Sequence, residues 1–338
     1  MRNSAGFLVP FLLLAAALGR QTARDLPSFF KQNIGLSDSE IARIGQGQAV
    51  AKILDSTKPS QVFVFGAISI NAQPGAYSRL ASDLERLKSL PGYLAVQRFS
   101  SPPLLSDLSG FEIDADDVDE LKKCKPSDCD VQLPAEEIQE FRTRIDWSSP
   151  NSRAQVNHLA KDMALKALLA YQQGGNATLG IYEDKDVPTR VSEQFHSLLA
   201  RSNVLPEKFP ALHSYLLSYP KGSLPGSSST FYWEKVNFGL KPTLRVNQQI
   251  TARMATEHGL IDVVAIKQLY ASHYFQAALE LYFCLPRSPS GFYLITVKGS
   301  EQDGLTGVKG RVIKKVAISK TRSALEQYLV AIKKELEH

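Results

Sequence analysis

The sequence predicts an α+β protein: a curved, mainly antiparallel sheet gripping a long C-terminal helix, with a helical insertion. Three observations point there. Runs rich in β-branched and aromatic residues fall in two blocks, 49–99 and 231–297. Between them, 134–225 changes to helical periodicity. The chain then closes on a long amphipathic run, 305–337. Strands, helices, strands and a closing helix read as an antiparallel sheet with helices gathered on one face.

Size and composition agree. The chain has 338 residues, 43% hydrophobic and 22% charged, which excludes disordered, collagen-like and coiled-coil classes. The net charge of +5 is too mild to imply nucleic acid. The organisation predicted is a signal peptide over 1–19, an N-terminal part of the α+β domain over 20–133, the insertion over 134–225, and a C-terminal part over 226–338.

At the N-terminus, Arg2 precedes the apolar run Phe7–Leu18, which is shorter than the ~20 residues that span a bilayer. Ala17 and Gly19 supply the small residues of a cleavage site before Arg20. The protein is therefore expected to be periplasmic or secreted. The cysteines fit: Cys124 and Cys129 bracket a turn-forming Lys-Pro-Ser-Asp and are expected to form a structural disulfide. Cys284, in an apolar run, reads as a buried small hydrophobe.

Along the chain, Ser37-x-x-Glu40 has the form of a capping box opening a helix. Ala49–Leu54 and Val62–Ile70 read as strands, Ala76–Leu90 as one helix ended by Pro91-Gly92, and Leu94–Phe99 as a strand. The acids Asp114, Asp116, Asp117, Asp119 and Glu120 precede Lys122 and Lys123, as the helix dipole favours, with Asp114 as N-cap. A calcium loop fits less well, because Val118 takes a ligand position and no glycine follows. In the insertion, helices are predicted over Ala135–Ile145, Ser152–Gln173, Ser192–Ser202 and Glu207–Tyr219. Phe231–Thr251 reads as strand broken near Gly239 and Pro242. Within Val263–Leu285 the first half is strand-like and FQAALELY is ambiguous. Phe292–Val297 is a strand. The last helix follows, with Gly304, Gly307 and Gly310 at its start.

The order of elements over 60–110 and 228–337 resembles the START-like (helix-grip) superfamily. Tyr270-Ala-Ser-His-Tyr-Phe275 and Asp303-Gly-Leu-x-Gly307 also resemble an uncharacterised family of secreted bacterial proteins. The START-like resemblance implies a pocket for lipids or other apolar ligands between sheet and terminal helix. It carries over no catalytic residue.

Chemistry-bearing motifs are sparse. The chain lacks a Gly-x-Ser-x-Gly elbow, a His-Glu-x-x-His helix and a phosphate loop. No two of its six histidines fall at i, i+2 or i, i+4, so neither a metal nor a cofactor is predicted. The polar candidate is His273, read on a strand with Lys267 and Phe275 on one face and Tyr270, Ser272 and Tyr274 on the other. It is either a ligand-facing acid or base or a hydrogen-bonded sheet histidine. Tyr270, Tyr274, Trp233, Arg245 and Tyr293 are its candidate pocket neighbours, with Lys235 also on these late strands. Residues 298–338 hold nine Lys/Arg against five acids. Arg311, Lys315 and Arg322 could meet an anionic membrane surface. The expected function is an exported binding protein for a lipid or other hydrophobic small molecule. The alternatives are a cyclase- or hydrolase-like cavity enzyme using His273, and an envelope protein-interaction module.

Overall fold

A computed structural model describes residues 26–338 apart from 57, 74, 203, 238–240, 257–258, 288 and 303–306; for 307–319 it describes the backbone only. The predicted signal peptide, the start of the Asp303–Gly307 motif and the side chains of Arg311 and Lys315 lie outside the described residues.

A helical turn over Phe30–Ile34 leads into α1 (Asp38–Gly45). Its predicted capping box is present: the Glu40 amide donates to Ser37 Oγ, and the Ser37 amide donates to Glu40 Oε2 at 2.8 Å. Strands β1 (Val50–Leu54) and β2 (Gln61–Ile70) follow. The helix predicted over Ala76–Leu90 is instead two, α2 (Ala76–Ser82) and α3 (Leu84–Lys88). Asp83 leaves helical geometry between them, and its carboxylate accepts from the Arg86 amide to cap the second. Next come β3 (Tyr93–Arg98), α4 (Ala115–Leu121), α5 (Ala135–Arg144) and α6 (Ser152–Gly174). Asp114 holds the N-cap position of α4 but makes no capping bond, because its carboxylate is taken by Lys235. A two-stranded ribbon, β4 (Ile181–Tyr182) with β5 (Thr189–Arg190), precedes α7 (Val191–Leu199). The helix predicted over Glu207–Tyr219 is split into α8 (Val204–Lys208) and α9 (Pro210–Ser218), because Pro210 starts a new first turn. Then come β6 (Ser227–Val236), β7 (Thr243–Thr256), β8 (Gly259–Ala271), β9 (Phe275–Pro286), β10 (Phe292–Gln302) and α10 (Gly307–Glu337). The ambiguous FQAALELY segment is strand, in register with both β8 and β10.

The fold is α+β, built on an eight-stranded sheet in the order β1-β2-β10-β9-β8-β7-β6-β3, each neighbouring pair antiparallel. Alternation along each strand divides two apolar layers. On one face Val64, Ile68 and Leu294 pack with Tyr77, Leu80, Leu87, Leu325 and Leu329, from α2, α3 and α10. On the other, Phe65, Ala67, Val263, Leu281 and Ile295 pack with Ile44 of α1 and with α7–α9. The β6–β8 end of that face, through Trp233, Leu244, Val246 and Leu269, packs with α4–α6. Helices thus cover both faces, not one as the element order implied. Strands β8, β9 and β10 carry apolar side chains at successive positions, which requires burial on both sides.

The terminal helix sits close because of Gly66. A Cβ there would lie 2.9 Å from Leu325 Cδ2 and 2.9 Å from Leu329 Cδ1. Gly66→Val is expected to destabilise the protein by about 1–3 kcal/mol through overpacking. Urea unfolding measures this, and an unchanged midpoint would show that the seating of α10 does not depend on this approach. At the sheet's β1 edge, the Ala51 amide donates to Glu326 Oε1 of α10 at 3.2 Å.

Candidate functional site

The largest described cavity lies on the insertion face of the sheet, opposite α10. It measures about 1440 Å³, above the ~300–1,000 Å³ usual for small-molecule pockets. Its floor is the sheet, with Phe63, Phe65, Leu279, Leu281, Phe283 and Ile295 pointing up. Phe30 and Ile41 close it from the N-terminal helices, and Leu198, Leu205 and Phe209 from the insertion. Phe209 stacks on Phe283 with centroids 4.7 Å apart. Charged side chains at its wall are Asp55, Arg201, Glu207, Lys208 and Arg287. Of the predicted pocket residues, Tyr293 lines this cavity.

A second cavity of about 110 Å³ lies between α4–α6 and the β7–β8 end of the sheet. It holds room for a few waters at ~30 Å³ each, not for a lipid. Tyr270 lines it and packs edge-on against Tyr182 at 6.3 Å. Glu137 also reaches it, and burial pushes that carboxyl up to about 7.

His273 lines neither cavity. Strand β8 ends at Ala271, and Ser272–Tyr274 form the turn into β9, so the strand alternation read through these residues stops short of them. Tyr274 adopts a left-handed φ of 64°, a conformation that costs a non-glycine residue about 1–3 kcal/mol. The turn is held by its neighbours. His273 Nδ1 lies 3.0 Å from the Asp130 carbonyl oxygen, and Nε2 lies 2.8 Å from Asp117 Oδ2. Lys241 Nζ pairs with the other Asp117 oxygen, and Tyr274 Oη accepts from the Lys241 amide at 3.2 Å. Gln132 Nε2 donates to the carbonyls of Ala271 and Phe275. Burial would raise the Asp117 carboxyl, but the bonds and charges of His273 and Lys241 outweigh it and hold the group below its usual range. Both imidazole nitrogens are committed to acceptors, so this histidine is a hydrogen-bonded turn residue. The disulfide Cys124–Cys129, with Cα atoms 4.7 Å apart, closes the ring just before Asp130.

Trp233 and Arg245 are placed elsewhere. Trp233 is in the α4–α6 core, its Nε1 donating to the Asp107 carbonyl at 2.8 Å and its ring edge-on to Phe111. Arg245 lies on the terminal-helix face, within an ion network. Its Nη1 is 3.0 Å from Glu234 Oε1 and 3.5 Å from Glu280 Oε1. Glu280 in turn accepts from Lys298 at 2.7 Å and from the Tyr282 hydroxyl at 2.8 Å. Lys298 lies 4.8 Å from the ring centroid of Tyr328 on α10. The space beneath the terminal helix, expected to be an apolar ligand pocket, therefore carries buried charges and tyrosines. Gln249, Gln268 and Thr296 on the same face each bury an oxygen without a hydrogen-bond partner. The six predicted site residues do not converge on one site.

Lys267 was not singled out by the sequence as a site residue. It is 1% exposed on the insertion face, among the largest fully buried side chains. Its ammonium donates to Tyr171 Oη at 3.0 Å and to Asn176 Oδ1, and lies 4.1 Å from the Phe195 ring centroid. Tyr171 donates onward to Gln248 Oε1 at 2.7 Å. Burial alone pushes this amine down to about 7.

Among the described residues no helix is long and apolar enough to cross a membrane. Nor do three or more metal-ligating side chains gather among them. No protein-family model matches this chain, and no curated protein matches it.

Proposed function

We propose that this is an exported protein that holds a lipid or other hydrophobic small molecule in the cavity of about 1440 Å³ between the sheet and the insertion. The observation that carries the reading is the wall of that cavity. Phenylalanine, leucine and isoleucine side chains from five strands, the N-terminal helices and the insertion face a volume that no described residue fills. Leaving that much apolar surface without a partner is costly at ~25 cal/mol per Å², and an apolar ligand removes the cost. The resemblance to START-like proteins supports a ligand-holding role. Here the site is assigned to the opposite side of the sheet, because the terminal-helix side is occupied by charges.

Export is supported by the apolar run Phe7–Leu18 and by the disulfide, which suits an oxidising compartment. Exchange of ligand with an anionic membrane would use the basic C-terminal segment, where Arg322 is exposed. His273 lies outside the cavity, which favours holding a ligand over a reaction driven from that residue.

The test is direct. Organic extracts of the purified protein should contain a stoichiometric apolar compound by mass spectrometry. The delipidated protein should bind 1-anilinonaphthalene-8-sulfonate. Replacing Ile295, on the cavity floor, by tryptophan should weaken that binding at least about tenfold. Unchanged probe binding in a folded Ile295→Trp protein, together with empty extracts, would refute the assignment.

A further inference from the structure

One lateral row of the sheet ties the buried lysine to the cavity. Register places Leu54, Phe63, Gly299, Leu279, Lys267 and Gln248 side by side across β1, β2, β10, β9, β8 and β7. The first four line the cavity. Lys267 is the next residue of the same row on the same face, one strand beyond the cavity lining and covered by the Phe195 ring. From Leu54 to Lys267 is four inter-strand steps, about 19 Å at ~4.8 Å each, the length of a long acyl chain.

Groups from five parts of the fold are placed beside this amine among the described residues. They are Tyr171 of α6, Asn176 after it, Phe195 of α7, Gln248 of β7 and Leu279 of β9. Behind Tyr171 stacks Tyr219, with Tyr215 edge-on to Tyr219. The titratable members are tyrosines, each raised by burial and therefore neutral. Among the described residues no carboxylate pairs with Lys267. A buried amine without a counter-ion holds its proton weakly, and an acidic group placed beside it supplies the opposite charge that keeps the proton on.

We propose that Lys267 is the anchor for the acidic head of the cavity's ligand, so that the protein selects long-chain carboxylic acids over neutral lipids of equal length. This rests on the reading of the cavity as a ligand site. The head group reaches the ammonium when the Phe195 ring, which now covers it at 4.1 Å, turns aside. Tyr171 and Asn176 hold the amine in place. A carboxylate accepting from an ammonium in a dry site forms the stronger, charge-assisted class of hydrogen bond, which an alcohol cannot match.

The experiment compares hexadecanoic acid with hexadecan-1-ol on the delipidated full-length mature protein by titration calorimetry. The expected result is a preference for the acid of about tenfold to a hundredfold. In Lys267→Met the preference should vanish while the alcohol binds as before. Phe195→Leu, which removes the aromatic cover, should keep or increase the preference, and it provides a reading should Lys267→Met fail to fold. If wild type binds both equally, or the preference survives in folded Lys267→Met, the anchor is overturned and the cavity reading stands. If neither compound binds, the cavity reading itself falls.

Discussion

Arg245→Met should cost about 3–5 kcal/mol of stability at pH 7.5, because it leaves two buried carboxylates without the cation between them. Glu234 is 2% exposed, and its Oε1 lies 3.0 Å from the guanidinium. Its carboxyl is raised by burial, with Arg245 pulling in the other direction. Glu280 goes the opposite way: burial would raise it, but Lys298 and Arg245 outweigh that and hold it at about 2. The signs give the pH dependence. The depressed Glu280 contributes stability that is complete above its unfolded value of ~4.3 and is lost as pH falls toward about 2. The raised Glu234 contributes most below its unfolded value and less as pH rises through its folded one. Without Arg245 both carboxyls move up. The loss in Arg245→Met should therefore be smaller at pH 5 than at pH 7.5, because a carboxyl raised by burial takes up a proton more readily as pH falls. Urea unfolding at the two values measures this, and an equal loss at both would show that the carboxylates are not carrying it.

The second large effect is expected at Asp117. Asp117→Ala removes the carboxylate that pairs with His273 Nε2 and Lys241 Nζ, leaving both nitrogens without that acceptor at the β8–β9 turn. The expected cost is about 3–5 kcal/mol. Asp117 is held below its usual range, so its contribution is present above its unfolded value of ~3.9 and disappears as pH falls through its folded one. Wild type should lose stability in that acid window, and the variant should show a flatter profile there. Acid unfolding followed by circular dichroism reports the difference. Hydrogen exchange should locate it, with the Ala271 and Phe275 amides exchanging faster in the variant. A variant as stable as wild type, with the same acid limb, would remove the turn from the elements that hold this end of the sheet.

Much of the fold was legible because it is written in local periodicity. The β-branched and aromatic run Val62–Ile70, the Ser37–Glu40 box and the apolar spacing of Leu325, Leu329 and Ile332 depend only on neighbours along the chain. The breaks at Asp83 and Pro210 are local features inside segments read as single helices: Asp83 caps a new helix and Pro210 opens a new first turn. What could not be read was the side of the sheet on which each helix packs, because that depends on contacts between residues more than a hundred apart. The site suffered most from this. Charged residues on strands, such as Glu234, Lys267 and Glu280, carry no local signal that they are buried. They are buried because helices cover both faces, and their partners come from other strands. His273 drew attention as the polar residue of an aromatic run, yet Asp117 and Asp130, which fix it, precede it by more than 140 residues. The one signal that could have pointed to Lys267 is its setting, since VVAIKQLY is too apolar around it for a strand with one wet side.

The bond from the Ala51 amide to Glu326 has a meaning beyond anchoring the terminal helix. An open sheet ends in strands whose outward amides and carbonyls can recruit the edge of another molecule, which is how native sheets begin to polymerise. Here β1 is five residues long, and its Ala51 amide is occupied by a carboxylate from the last element of the chain. Until that helix docks, this donor is open to any passing strand. The order of synthesis therefore leaves the β1 edge unguarded until α10, made after every described strand of the sheet, has docked, and that helix acts as a shield against strand-to-strand association.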